Sequence, residues 1–191
     1  MAGSTDILAA YTIAGNVEKI VMVISFGLSS TAAIVIGREI GAGRSDRVLD
    51  VGKALNALAA VGGLVLGAVL LLFVWTAAPA WAYPLFQLSP GAASVASMMM
   101  VVMALDMPLK DFNTVNIVGV LRGGGDVRAA TLIDIGPLWL AAIPYAALCG
   151  LVLKTSVFWV YLAFPLEQAV KSFAGVWRLR SGQWVRDLTR A

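Results

Sequence analysis

Five long apolar runs, separated by short polar breaks, decide what this chain can fold into. They extend from about Ile7 to Ile36, Ala54 to Ala78, Ala92 to Leu121, Ala129 to Leu153 and Val157 to Trp177. At about 1.5 Å of rise per residue, each helix would be long enough to cross a hydrocarbon layer of about 30 Å. The first and third exceed that need and are expected to tilt or protrude. Composition points the same way, with 60% hydrophobic and 13% charged residues and a mean hydropathy of +0.86. Soluble domains are nearer half apolar and a quarter charged. The expected fold is therefore an all-α integral membrane protein, a bundle of about five transmembrane helices. It forms one unit over residues 1–191 that ends in a tail from 178.

The basic residues set the expected orientation. Arg38, Arg44, Arg47 and Lys53 lie in the first connector, Arg122 and Arg128 in the third, and Arg178, Arg180, Arg186 and Arg190 in the tail. The second connector has none and the fourth only Lys154. Positive charge collects on the cytoplasmic side of membrane proteins, so the tail is expected inside and the N-terminus outside, in a plasma (inner) membrane. Trp75, Trp81 and Tyr83 would then flank the outer end of span two, and Trp177 and Trp184 the inner end of span five. The first residues lack the basic segment of a cleavable signal peptide. A chain that begins outside ordinarily has another helix before it, so a preceding segment is expected.

Several chemistries are excluded or disfavoured. There is no histidine, which removes imidazole catalysis, His metal sites and His proton relays. Cys149 sits in an apolar run and is expected to be a buried, inert thiol. With no Ser/His or metal-ligand constellation, no enzyme activity, metal site or cofactor is expected. Gly37-Arg-Glu-Ile-Gly-Ala-Gly43 and Leu121-Arg-Gly-Gly-Gly-Asp126 are glycine-rich, but neither follows a strand or carries the Lys-Ser/Thr of a phosphate loop. They read as tight turns with glycine at positive φ, the second pinned by Arg122 and Asp126. Gly63-Leu-Val-Leu-Gly67, beside Gly62, is a small-residue motif for close helix packing.

Ionisable residues at membrane depth are costly and point to function. Span three carries Asp106, Lys110, Asp111, Asn113, Thr114 and Asn116. At 100° per residue Asp106, Lys110 and Asn113 share one face, while Asp111 points elsewhere. Pro108 removes an amide donor and frees the carbonyl of Ala104. A bent helix with a polar stripe and a spare carbonyl suits a transport site; a self-neutralising Asp106–Lys110 pair that only locks helices is the plain alternative. On span one, Tyr11, Gly15, Glu18 and Ser25 share a face, and Glu18 is a candidate either for function or for an interfacial position. Glu167 and Lys171 on span five, spaced i, i+4, read as a structural pair or as a snorkelling Lys.

Three segments taken in order carry a family resemblance: Ala9-Ala-Tyr-Thr-Ile-Ala14, then Gly37-Arg-Glu-Ile-Gly-Ala-Gly43, then Gly119-Val-Leu-Arg-Gly-Gly-Gly-Asp126. With Glu167-Gln-Ala-Val-Lys171 and Arg178-Leu-Arg-Ser-Gly-Gln-Trp184, they resemble multidrug and toxic compound extrusion (MATE) transporters over essentially the whole chain. The resemblance implies helices eight to twelve of a twelve-helix, two-lobed carrier. It implies export of cationic or amphipathic compounds in exchange for H⁺ or Na⁺, with no other cofactor. By its spacing before the Leu-Arg-Gly turn, Asp111 is the best match to an acidic cation-binding residue of the family, with Asp106 second. Lys110, Asn113, Asn116 and Glu18 complete the candidate substrate- and cation-binding set.

On this reading Asp111 carries the exchanged proton and Lys110 holds Asp106 ionised. The implied partners are the lipid bilayer, a cationic small molecule and the missing N-terminal lobe or a partner chain; no nucleic acid is implied. Two rival readings are a flippase for lipid-linked sugars, whose cleft should be richer in cations, and a structural membrane module that transports nothing.

Overall fold

In the computed structural model, residues 3–185 are described, and all their regular structure is helical. Helix α1 (Ser4–Gly41) and helix α2 (Ser45–Trp75) run antiparallel across the turn at Gly43. That glycine takes φ +73°, as the glycine-rich connector predicts. The turn is tied by Arg44, whose guanidinium donates two hydrogen bonds to Glu39, at 2.7 and 2.8 Å. Helix α3 (Pro90–Asn113) opens with Ser89 as its N-cap and Pro90 in the first position, where no amide donor is needed. Ser89 also donates to Asp6 at 2.6 Å, joining the starts of α1 and α3.

Beyond Asn113 the helix continues in π-helical form, Thr114–Leu121. Helix α4 (Val127–Pro137) begins after Gly125, which takes φ +89°. It continues through Leu138–Ala142, Ile143–Ala147 and Leu148–Val152, with π-helical stretches at both ends of that extension. Pro137 and Pro144 lie where the winding changes, as expected of residues that break the i→i−4 ladder.

Four helical stretches are long and apolar enough to cross a membrane: Thr5–Gly41, Asp46–Trp75, Pro90–Leu121 and Val127–Val152. The first continues through Arg38 and Glu39, past the limit read from hydropathy. The fifth apolar run is helical but interrupted. A turn at Val157–Tyr161 precedes helix α5 (Ala163–Arg180), which carries Glu167, Lys171, Arg178 and Arg180. Most of the large exposed apolar side chains lie along these helices, Val61, Leu64, Leu72 and Leu140 among them. Such a surface suits lipid as solvent.

The buried apolar residues form two clusters. One, toward the end bearing the basic connectors, contains Ile36, Val48, Val120, Leu121 and Trp184. The other contains Ala14, Leu70, Val74, Met99, Met100 and Met103. Small residues set the helix spacing. A side chain on Gly63 would meet the Met107 carbonyl and the Pro108 Cα at 2.7 Å, and one on Gly67 would strike the Ala104 carbonyl. Gly67 thus sits on the carbonyl that Pro108 deprives of its helical partner.

Three aromatic or charged pairings differ from the sequence reading. Trp184 is fully buried rather than interfacial: its indole N–H donates to the Leu179 carbonyl at 3.0 Å, and its ring packs on Gly52 and Gly124. Tyr83 is also buried, in a 2.6 Å hydrogen bond with Ser97, while Trp75, Trp81 and Trp177 are exposed as expected. The second glycine-rich turn is not pinned by an Arg122–Asp126 pair. Arg178 of α5 reaches the buried Asp126 at 2.7 Å, and Arg122 turns along α4 to Asp134 at 3.2 Å. Partners on neighbouring helices outcompete a local pair worth a few tenths of a kcal/mol. Arg186 and Arg190 lie outside the described residues.

Candidate functional site

Between the two apolar clusters lies a belt of polar side chains: Ser25 on α1, Asp106, Asp111 and Asn113 on α3, Asn116 just beyond it, and Glu167 and Lys171 on α5. All are buried. Helix α3 is its axis, since it packs against α1, α2 and α5 at once.

The candidates do not converge on one point. Lys110 forms its ion pair across the helix interface, with Glu18 of α1. This corrects the expected Asp106–Lys110 pair. An i, i+4 Asp–Lys pair on one helix contributes only about 0.2–0.5 kcal/mol; a carboxylate on the facing helix competes for the same ammonium and wins. Asp111, 3% exposed, accepts a hydrogen bond from the Ser25 hydroxyl. Asp106, 7% exposed, has an Oδ1 with no hydrogen-bond partner among the described residues.

Asn113 clamps α3 to α5: its amide donates to the Gln168 backbone carbonyl and side chain at 2.8 and 2.9 Å, and its oxygen accepts from Ser172 at 3.1 Å. Asn116 is fully buried and accepts from Asn56 of α2 at 3.1 Å. Its amide nitrogen lies against Gly175, where a side chain would come within 2.6 Å. Both asparagines therefore serve as helix fasteners. Glu167 and Lys171 pair as read from the sequence, at 2.7 Å, and Lys171 also donates to Asp134 at 3.0 Å.

Two cavities enter this belt. One, of about 60 Å³, is lined by Tyr11, Gly15, Glu18, Asp106, Lys110 and Tyr161, among others. The second, of about 240 Å³, is lined by Met22, Lys110, Asn113, Asp134 and Lys171, among others. Lys110 borders both. Ser25 lies on the α1 face that the sequence placed with Tyr11, Gly15 and Glu18, whereas Tyr161 was not singled out from sequence. Tyr161 belongs to an apolar run and gives no such signal. Among the described residues no group of three or more carboxylate or thiol side chains could hold a metal ion.

An all-helical bundle with lipid-facing apolar surfaces and a paired polar belt defines a multi-pass membrane protein of transporter type. The family model MatE matches residues 1–148, so the chain belongs to the MatE family of transporters. It is 26% identical over 149 residues to Protein DETOXIFICATION 15 of Arabidopsis thaliana, covering 77% of this chain and 29% of that protein. It is 22% identical over 171 residues to the uncharacterized transporter YisQ of Bacillus subtilis (strain 168), covering 90% of this chain and 36% of the relative. The chain thus spans about a third of the length of these relatives. No solved structure matches it.

Proposed function

We propose that this chain is the C-terminal part of a secondary-active antiporter that exports cationic or amphipathic compounds in exchange for H⁺ or Na⁺. The observation that carries the reading is Asp111, a carboxylate buried at membrane depth that accepts a hydrogen bond from the Ser25 hydroxyl of α1 and forms no ion pair among the described residues. Buried intramembrane carboxylates are costly, and ion exchange is a common reason to keep one. The belt's acids, Glu18, Asp106, Asp111 and Glu167, outnumber Lys110 and Lys171, which favours cationic cargo over an anionic lipid-linked sugar. The name of the Arabidopsis relative, DETOXIFICATION 15, fits export of foreign compounds. The substrate cleft would lie between this lobe and another, with this chain as one wall. The basic end and tail would face the cytoplasm, in a plasma membrane.

The test is efflux of a cationic dye from vesicles containing the complete transporter, driven by a proton or sodium gradient. Asp111→Asn should reduce gradient-driven efflux at least tenfold while leaving the protein monodisperse. Unchanged efflux in that variant would remove Asp111 from the mechanism. Absence of efflux from the wild type under either gradient would sink the antiporter reading.

A further inference from the structure

We propose that a trough between α2 and α5 is a binding site for one anionic phospholipid, whose phosphate is held by Lys53 and Arg180. The site stands apart from the polar belt, and it holds whether or not the chain exchanges ions.

The trough, of about 420 Å³, lies over Phe112 of α3. Helix α2 lines one bank with Lys53, Ala57 and Ala60, which share a helical face at i, i+4 and i+7. Helix α5 lines the other with Val176 and Arg180, at i and i+4. None of these residues lines either cavity of the polar belt. The space exists because α2 and α5 both pack on α3 but hardly on each other. The alanines of the α2 bank are too small to fill it.

Polarity changes along the trough. Ala57, Ala60 and Val176 form its deeper banks, while Lys53 and Arg180 stand toward the end that bears the basic connectors. Trp177, in the last turn of α5, is 68% exposed. An exposed tryptophan at a helix end marks headgroup level in a membrane protein. The two cations therefore lie at the depth of a phosphate, with apolar surface below them for an acyl chain.

Both cations are free to take a new partner. Arg44, Arg122 and Arg178 are each paired with a carboxylate, whereas Arg180 is exposed and forms no ion pair among the described residues. Lys53 meets Asp50 at 3.1 Å, in a pair with both side chains largely exposed. Such pairs are weak, so a phosphate oxygen competes for that ammonium on even terms. Basic groups at the mouth of a groove between membrane helices suit an anionic headgroup. A zwitterionic lipid would bring its own ammonium to the same place and gain less. A soluble anion would meet the cations but make no use of the apolar banks.

A second trough, at the opposite end of the bundle, provides the contrast. It is larger, about 530 Å³, and is lined by Ile7, Val95, Met98 and Phe158, among others, with Lys154 as its one cation. It has room for lipid chains but only a single basic group to choose a headgroup with.

The test is native mass spectrometry of the purified full chain in mild detergent, supplied with equimolar phosphatidylglycerol and phosphatidylcholine of matched acyl chains. The expected result is one tightly held phosphatidylglycerol, favoured about tenfold over phosphatidylcholine, as two basic side chains near an anionic headgroup provide. Lys53→Gln with Arg180→Gln, both at exposed positions, should abolish the preference, and Lys154→Gln should leave it unchanged. Ala57→Trp fills the trough with both cations in place and should release the lipid. Inorganic phosphate should displace no more of it than sodium chloride of equal ionic strength. Equal retention of the two lipids by the wild type overturns the proposal. So does a preference that survives the double glutamine variant or Ala57→Trp, or one that is lost in Lys154→Gln. Displacement by inorganic phosphate beyond the salt effect overturns it in favour of a soluble anion. A lipid-free dimer that Ala57→Trp dissociates overturns it in favour of a second copy of the chain.

Discussion

The two faces of α3 are held by different physics. Toward α2, contact is backbone against backbone: Gly63 and Gly67 bring one helix onto the carbonyls of Ala104 and Met107. Among the described residues no side-chain hydrogen bond joins α2 to α3 within Pro90–Asn113. Toward α1 and α5, contact is made by polar side chains: Ser25 to Asp111, Glu18 to Lys110, and Asn113 to Gln168 and Ser172. In lipid the first kind of contact gains from close packing alone. The second exists because each polar group, once at that depth, must find a partner. The dry face leaves no room for a side chain, whereas the polar face is held by discrete pairs, and α3 carries both along a single helix.

The largest expected effect comes from filling the dry face. Gly67→Leu should destabilise the bundle by about 3 kcal/mol or more, read as loss of helicity at lower SDS in a detergent titration, because neither backbone can yield. Gly62→Leu is the matched control: nothing lies within 4 Å of a side chain there, so its midpoint should stay at wild type. If the two behave alike, close packing is not what holds α2 to α3.

On the polar face the effects should be smaller and repairable. Glu18→Gln leaves the Lys110 ammonium without its carboxylate. Since the pair is about a quarter exposed, the cost should be about 2 kcal/mol, below that of a fully buried pair. Glu18→Gln with Lys110→Met should recover most of it, a coupling that a double-mutant cycle reads directly. Asn56→Ala removes the donor to Asn116 and should cost about 1–2 kcal/mol, since a buried oxygen is left unsatisfied. Smallest of all, Lys53→Ala breaks an exposed pair with Asp50 at 3.1 Å and should shift the midpoint by less than about 0.5 kcal/mol.

The same division explains what could be read from the sequence. The apolar runs, the glycine turns and the Gly63–Gly67 motif are local patterns, and the structure contains helices, positive-φ glycines and close packing at those places. The freed carbonyl of Ala104 could be deduced from Pro108; that Gly67 covers it could not, because the register between two helices is not written in either. Partner choice among charges failed for the same reason. Lys110 has Asp106 one turn away in sequence, yet its partner Glu18 is on another helix, and Arg122 and Asp126 likewise pair elsewhere. Trp184 looked like an interfacial aromatic because its burial depends on Gly52 and Gly124, which are distant in the chain. The fifth run averages apolar and polar residues, so its interruption before Ala163 and its two charged side chains, Glu167 and Lys171, are blurred in a hydropathy reading.

The claim that one face of α3 is a water-reached polar surface and the other a dry seam can be tested on that helix alone. With Cys149 replaced by Ala, single cysteines at Val102, which lines the small cavity, and at Met107, which is fully buried beside Gly67, would be exposed to a small water-soluble thiol reagent in intact vesicles. The account predicts modification of Val102→Cys at least tenfold faster than Met107→Cys. Equal rates at the two positions would contradict it.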